Sequence, residues 1–130
     1  MSRVRAAYLV VAWLFVVAIL VQVFLAGLAL FHVSENWDVH VGFGHSIPGL
    51  LSLLMLLLAW RGRLPRQTFR LTAVLFALVL LQTEVFAVIR SSAPVIAALH
   101  PVNAMLIFAL GVALAVRARA PVEDPGPSRP

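Results

Sequence analysis

Four long apolar runs alternate with short polar stretches along the chain, at residues 6–31, 41–60, 71–89 and 95–116. Each is close to the ~20 residues that a helix needs to cross the hydrocarbon core of a bilayer. Runs of this kind cross only as helices, because every backbone amide must find its partner within the segment. The first run is longer than a signal-peptide core of about 7–15 residues and is expected to be retained. The connections are short, so sequential helices are expected to lie antiparallel. The fold class that follows is all-α, a transmembrane four-helix bundle running up-down-up-down over residues 1–120. The proline-rich stretch 121–130 reads as a disordered cytoplasmic tail.

Composition agrees with this pattern. The 130 residues are 62% hydrophobic and 12% charged, whereas charged residues make up about a quarter of a soluble domain. The net charge of +5 sharpens the topology and does not point to nucleic acid. All basic residues are arginines, and most lie in three places: Arg3 and Arg5, the group Arg61, Arg63, Arg66 and Arg70, and the pair Arg117 and Arg119. Four crossings put these three places on one side. The opposite loops carry Glu35 and Asp38, with Arg90 as their one base. The positive-inside rule then makes both termini cytoplasmic, in a multi-pass protein of the cell membrane. No cysteine is present, which excludes disulfides, thiolate ligands and lipidated cysteine.

Membrane helices associate through small residues and paired polar groups, so each span is searched for such a stripe at helical spacing. The spacing suggests Ala18, Gln22, Ala26 and Ala29 in span one, and His45, Gly49, Ser52 and Ala59 in span two, with Met55 or Leu56 between. For span three it suggests Ala73, Ala77, Glu84 and Ala87, and for span four His100, Asn103, Ala104, Ile107 and Gly111. Tyr8, Trp13, Trp37 and Trp60 read as interfacial aromatics. The bundle is expected to be dry and apolar towards the arginines. Towards the other face it should be polar, with Gln22, Glu84 and Asn103 beside the histidines.

His45 and His100 carry the sharpest chemistry. They begin the second and fourth spans, which lie diagonally across such a bundle, so two imidazoles at similar depth can clamp a flat cofactor such as haem b. Gly42, Gly44 and Gly49 would admit a porphyrin edge, and Arg90 would pair with propionates. Pro101 suggests a kinked or newly started helix at His100. Both histidines can equally serve as hydrogen-bonding partners of Glu84, Gln22 or loop carbonyls. His40 and His45 are five residues apart, roughly 140° around a helix, which is poor geometry for a shared metal. A mixed zinc or copper site with Glu84 or His100 requires His40 to reach round from a loop. Glu84, about 8 Å inside its span, is the one intramembrane acid, and such groups often mark proton or cation paths. No second acid or base continues a path inward. His32 reads as a solvated loop residue. No phosphate loop, nucleophile elbow or cysteine–histidine pair occurs.

The pieces QVFLAGLAL at 22–30, WDVHVGFG at 37–44 followed by His45, and LHPVNA at 99–104 resemble a family of small bacterial membrane proteins. That family has four spans, about this length and no characterised function. The resemblance implies a four-helix integral membrane fold and supplies no activity. A second likeness, to four-helix cytochromes of the b type, rests on His45 and His100. Many such cytochromes carry a further histidine pair near the other membrane face, and this chain has none there. Three functional readings follow. The first is a non-catalytic accessory or subunit of a membrane assembly, with the lipid bilayer and a membrane-protein partner or second copy as its contacts. The second is a single-haem cytochrome exchanging electrons with a quinone or external partner. The third is a transporter or sensor of a small ligand near Glu84, against which stands the lack of a convincing internal repeat between spans one–two and three–four.

Overall fold

The computed structural model describes residues 2–119; the stretch 121–130 lies outside them. The described residues are helical throughout, with no strand. Helix α1 (Arg3–Phe31) is capped by Ser2, whose Oγ accepts from the Arg5 amide at 3.3 Å, as a serine N-cap does. After a tight turn comes α2 (Asn36–Arg61). The third long helix is built from α3 (Arg66–Leu80), a π-helical turn (Leu81–Val85) and α4 (Phe86–Ile89). The single turn α5 (Pro94–Ala97) and α6 (His100–Arg119) complete the fourth. All four are long and apolar enough to cross a membrane. Helix α2 begins before the apolar run at 41, because a polar sequence forms a helix readily once its turn is closed. The amides of Asn36, Trp37 and Asp38 bond the carbonyls of Val33, Ser34 and Glu35. His40, expected in a loop, is therefore a helical residue.

Helix α1 packs on α2, α2 on α3, α3 on α6 and α6 back on α1. The helices that begin spans two and four are thus diagonal, as the up-down order requires. Polar contacts report the directions. Arg5 Nε donates to the Ala118 carbonyl at 3.1 Å, joining the start of α1 to the end of α6. The Tyr8 hydroxyl meets Thr72 Oγ1 at 2.7 Å, joining the starts of α1 and α3 across the diagonal.

The core lies at the arginine end. Tyr8, Phe15, Met55, Leu75 and Leu114 are fully buried there. Gly111 belongs to this packing, since a Cβ on it would lie 3.1 Å from two carbons of the Phe15 ring. Two expectations are corrected here. Tyr8 is a core residue, not an interfacial one. The arginine end is also not purely apolar, since Ser52, Thr68 and Thr72 are buried in it. Thr72 Oγ1 donates to the Thr68 carbonyl at 2.8 Å, so it accepts from Tyr8, and the three groups form a directed chain. Trp13 lies half-buried beneath the Arg119 guanidinium, 4.7 Å from its ring centroid.

The buried stripes also differ from the small-residue stripes in two spans. In the third helix the buried positions are Thr68, Thr72, Leu75, Val79 and Phe86, while Ala77 and Glu84 are exposed and Ala87 lines the cavity described below. In α2 they are Gly44, Pro48, Ser52, Met55 and Ala59, so His45 and Gly49 sit one residue off the stripe. In the third helix the 4-3-4 spacing of the larger side chains marks the buried face, whereas in α2 that face is mostly small.

These stripes reveal a repeat. Tyr8, Ala12, Phe15 and Ile19 of α1 precede Thr68, Thr72, Leu75 and Val79 by 60 positions each. Gly44, Pro48, Ser52, Met55 and Ala59 of α2 precede Asn103, Ile107, Gly111, Leu114 and Ala118 by 59 each. The chain is two helical hairpins that share one burial register. The repeat lies in burial register and not in residue identity, which hides it from the sequence.

Two variants test the Tyr8 chain. Tyr8→Phe removes one neutral hydrogen bond and should cost about 1 kcal/mol; Thr72→Val strands a buried hydroxyl and should cost about 1–3 kcal/mol. Reversible unfolding in mixed micelles should rank Thr72→Val as the more damaging, and the opposite order would refute the direction assigned to the chain.

Candidate functional site

At the end remote from the arginines the bundle opens into a cavity of about 410 Å³, within the usual range of ~300–1,000 Å³ for small-molecule sites. Its floor and walls are apolar, with Ile19, Pro48, Val79, Phe86 and Ile107 among them. Its polar lining comes from Gln22, His40, His45, Gln82, Arg90 and His100.

Two of these groups are structural fasteners. Gln22 Nε2 donates to the His40 carbonyl at 2.9 Å and to His40 Nε2 at 3.2 Å, while His40 Nδ1 donates to the Gln22 carbonyl at 3.1 Å. This exchange fixes the neutral Nδ1–H tautomer of His40 and ties α1 to α2. It also needs Gly44, because a Cβ there would fall 2.5 Å from Gln22 Nε2. On the other hairpin, Gln82 Nε2 donates to the His100 carbonyl at 3.1 Å. Asn103 Nδ2 donates to Gln82 Oε1 at 2.7 Å and to the Leu78 carbonyl at 2.9 Å, tying the third helix to α6. Each glutamine thus grips the carbonyl of a histidine 18 positions later. The glutamines are 60 positions apart, as the stripes of their helices are, while the histidines, also 60 apart, fall one residue off the 59-position offset of α2 and α6. The two histidines meet near the axis, with ring centroids 6.4 Å apart. Trp37 packs edge-on to His40 at 5.5 Å, and Phe86 edge-on to His100 at 6.0 Å.

The other polar groups have no such duty. His100 opens α6, and its ring lies against the Gln82 backbone. His45 Nδ1 donates to its own helix carbonyl at Val41, 2.9 Å away, which leaves Nε2 as an acceptor. That nitrogen lies 4.0 Å from Glu84 Oε1 on the outer rim. Glu84 does not line the cavity, and both side chains of the pair are well exposed on the bundle surface. Arg90 lines the mouth and makes no ion pair or hydrogen bond among the described residues.

The sequence candidates therefore divide. Gln22, His40, His45, Arg90 and His100 converge on one cavity. Asn103 is buried behind it as a helix clip, and Glu84 stands outside. His40 is held by Gln22 on both ring nitrogens, so the mixed zinc or copper site is not assembled. No group of three His, Asp or Glu side chains suited to a metal occurs among the described residues. Gln82, Pro48 and Phe86 were missed. Gln82 and Phe86 continue the 4-3-4 spacing that starts at Thr68, and that rhythm was the available signal. The π-helical turn has no mark in the sequence, although such turns recur at functional sites.

The two-way exchange between Gln22 and His40 predicts a contrast between neighbouring glycines. Gly44→Ala should displace the Gln22 amide and lower stability by about 1–3 kcal/mol. Gly49→Ala meets nothing within 4 Å and should be neutral or stabilising by up to about 1 kcal/mol from helix propensity. Thermal unfolding of the two variants in one detergent provides the comparison.

No curated protein and no solved structure matches the chain. Residues 22–88, which carry Gln22, His40, Gly44, His45 and Gln82, match a family of unknown function (DUF6220). That stretch covers just over half of the sequence and includes one complete fastener and the start of the second; the chain belongs to this family, the family of unknown function DUF6220.

Proposed function

We propose that the chain is an integral protein of the cell membrane that crosses four times with both termini cytoplasmic, and that it is a non-catalytic accessory of a membrane assembly. In that role its outer half serves as a receptacle for a small amphiphilic molecule. Four apolar helices and three arginine groups at one end support the topology. The observation that carries the binding role is the division of the bundle. One end is closed by a continuous core, while the other keeps a 410 Å³ cavity whose lining includes Arg90, which makes no hydrogen bond or ion pair among the described residues. Helices without a ligand to hold would gain van der Waals contact by closing that space. No nucleophile with an adjacent base lines the cavity, which favours holding a molecule over transforming it.

A second reading keeps the same cavity and fills it with haem b between His45 and His100. Two imidazoles lining one cavity from diagonal helices are what favour it.

The absence of native cysteine makes topology testable with single reporters. A Ser34→Cys variant should react with an impermeant maleimide on intact cells, and an Arg66→Cys variant only after permeabilisation; the reverse would overturn the orientation. Purified gently, the protein should be colourless and should retain a second component. A Soret band that His100→Ala abolishes would establish the haem reading instead. A stable, partner-free, colourless monomer would count against the accessory role.

A further inference from the structure

We infer that the cavity takes a single-chain amphiphile with one carboxylate head, and that Arg90 is its counter-ion. This rests on the reading of the cavity as a receptacle.

The internal repeat separates what the fold needs from what it does not. Gln22 and Gln82, and His40 and His100, occur as pairs 60 positions apart and fasten the two hairpins in the same way. The equivalent of Arg90 in the first hairpin is Leu30, and those of Glu84 and Thr83 are Phe24 and Val23. The end of a long helix at this position therefore does not require a cation. His45 likewise has Ala104 as its counterpart at the 59-position offset of α2 and α6. The polar groups that break the repeat come from α2 and the third helix, so that flank of the cavity is the more polar, while α1 and α6 contribute Gln22 and His100.

Charge then specifies the head group. Arg90 is the one charged residue lining the cavity, and none of the acids Glu35, Asp38 and Glu84 does so. Arg90 also stands alone among the described arginines on the side opposite the three basic groups, where positive charge is disfavoured in a topology of this kind. It makes no pairing to compensate. A guanidinium at an apolar mouth binds a carboxylate through two parallel N–H···O bonds. One cation matches one negative charge. Below the mouth, Phe86, Val79, Pro48 and Ile107 provide an apolar sleeve for a hydrocarbon body. The cavity volume suits one chain and not the two of a phospholipid.

The full chain, reconstituted in nanodiscs of neutral phosphatidylcholine, can be titrated with dodecanoate, dodecanol and dodecylamine, with empty nanodiscs subtracting partition into lipid. Dodecanoate should bind at least about tenfold tighter than dodecanol, the scale of one charge-assisted contact. Dodecylamine should bind weakest. Arg90→Gln should bring dodecanoate to within about threefold of dodecanol without moving dodecanol itself, and Arg90→Lys should keep most of the preference. Filling the cavity with Ala104→Phe should weaken all three probes together. Equal binding of carboxylate and alcohol, or a preference that survives Arg90→Gln because lipid head groups satisfy the arginine, overturns the inference and leaves the receptacle standing. If no probe binds the wild-type chain above empty nanodiscs, the receptacle reading fails as well.

Discussion

Two side-chain amides govern this fold. Gln22 and Gln82 each reach across a hairpin to a histidine carbonyl. In apolar surroundings an unpaired amide donor is costly, so each glutamine N–H seeks a carbonyl within reach. The result is that α1 is joined to α2 and the third helix to α6, while between the hairpins that end has the weaker contacts of His40 with His100 and of His45 with Glu84. At the other end the hairpins share one core, where Tyr8 reaches Thr72. The cavity lies at the end where fastening is mainly within each hairpin.

The repeat gives this arrangement its economy and its limits. The same burial register serves both hairpins, so the same geometric problem is solved twice with different residues: Phe15 where its counterpart is Leu75, Met55 where it is Leu114. Fasteners are the part that retains chemical identity. The side chains that depart from the repeat, Arg90 and His45 foremost, make the cavity lining differ between α1 and α6 on one hand and α2 and the third helix on the other.

Much of this was legible from residue order. Span number, the up-down order, the diagonal placement of His45 and His100, and the stripe Asn103, Ile107 and Gly111 all follow from hydropathy and helical spacing. The third helix was misread because an intramembrane acid was assumed to need the interior; Glu84 instead faces outward beside His45. His40 was assigned to a loop because hydropathy marks the apolar slab and not the end of the helix, and α2 continues past it to Asn36. Tyr8 was taken for an interfacial ring since its hydroxyl partner, Thr72, is 64 positions away and no local pattern announces it. The repeat stayed hidden for a related reason, because burial register survives the exchange of Phe for Leu while identity does not.

Pro48 sits in α2 where the closed core gives way to the open end, and it lines the cavity with Gly44. A proline has no amide hydrogen to offer the carbonyl four residues earlier, which here belongs to Gly44. The α6 counterpart of this position is Ile107, which keeps its amide. One of the two equivalent walls therefore keeps its full ladder of hydrogen bonds and the other lacks one rung. A helix short of a rung bends more readily than a complete one, so the molecule carries an asymmetric compliance that its paired fasteners alone would not give it.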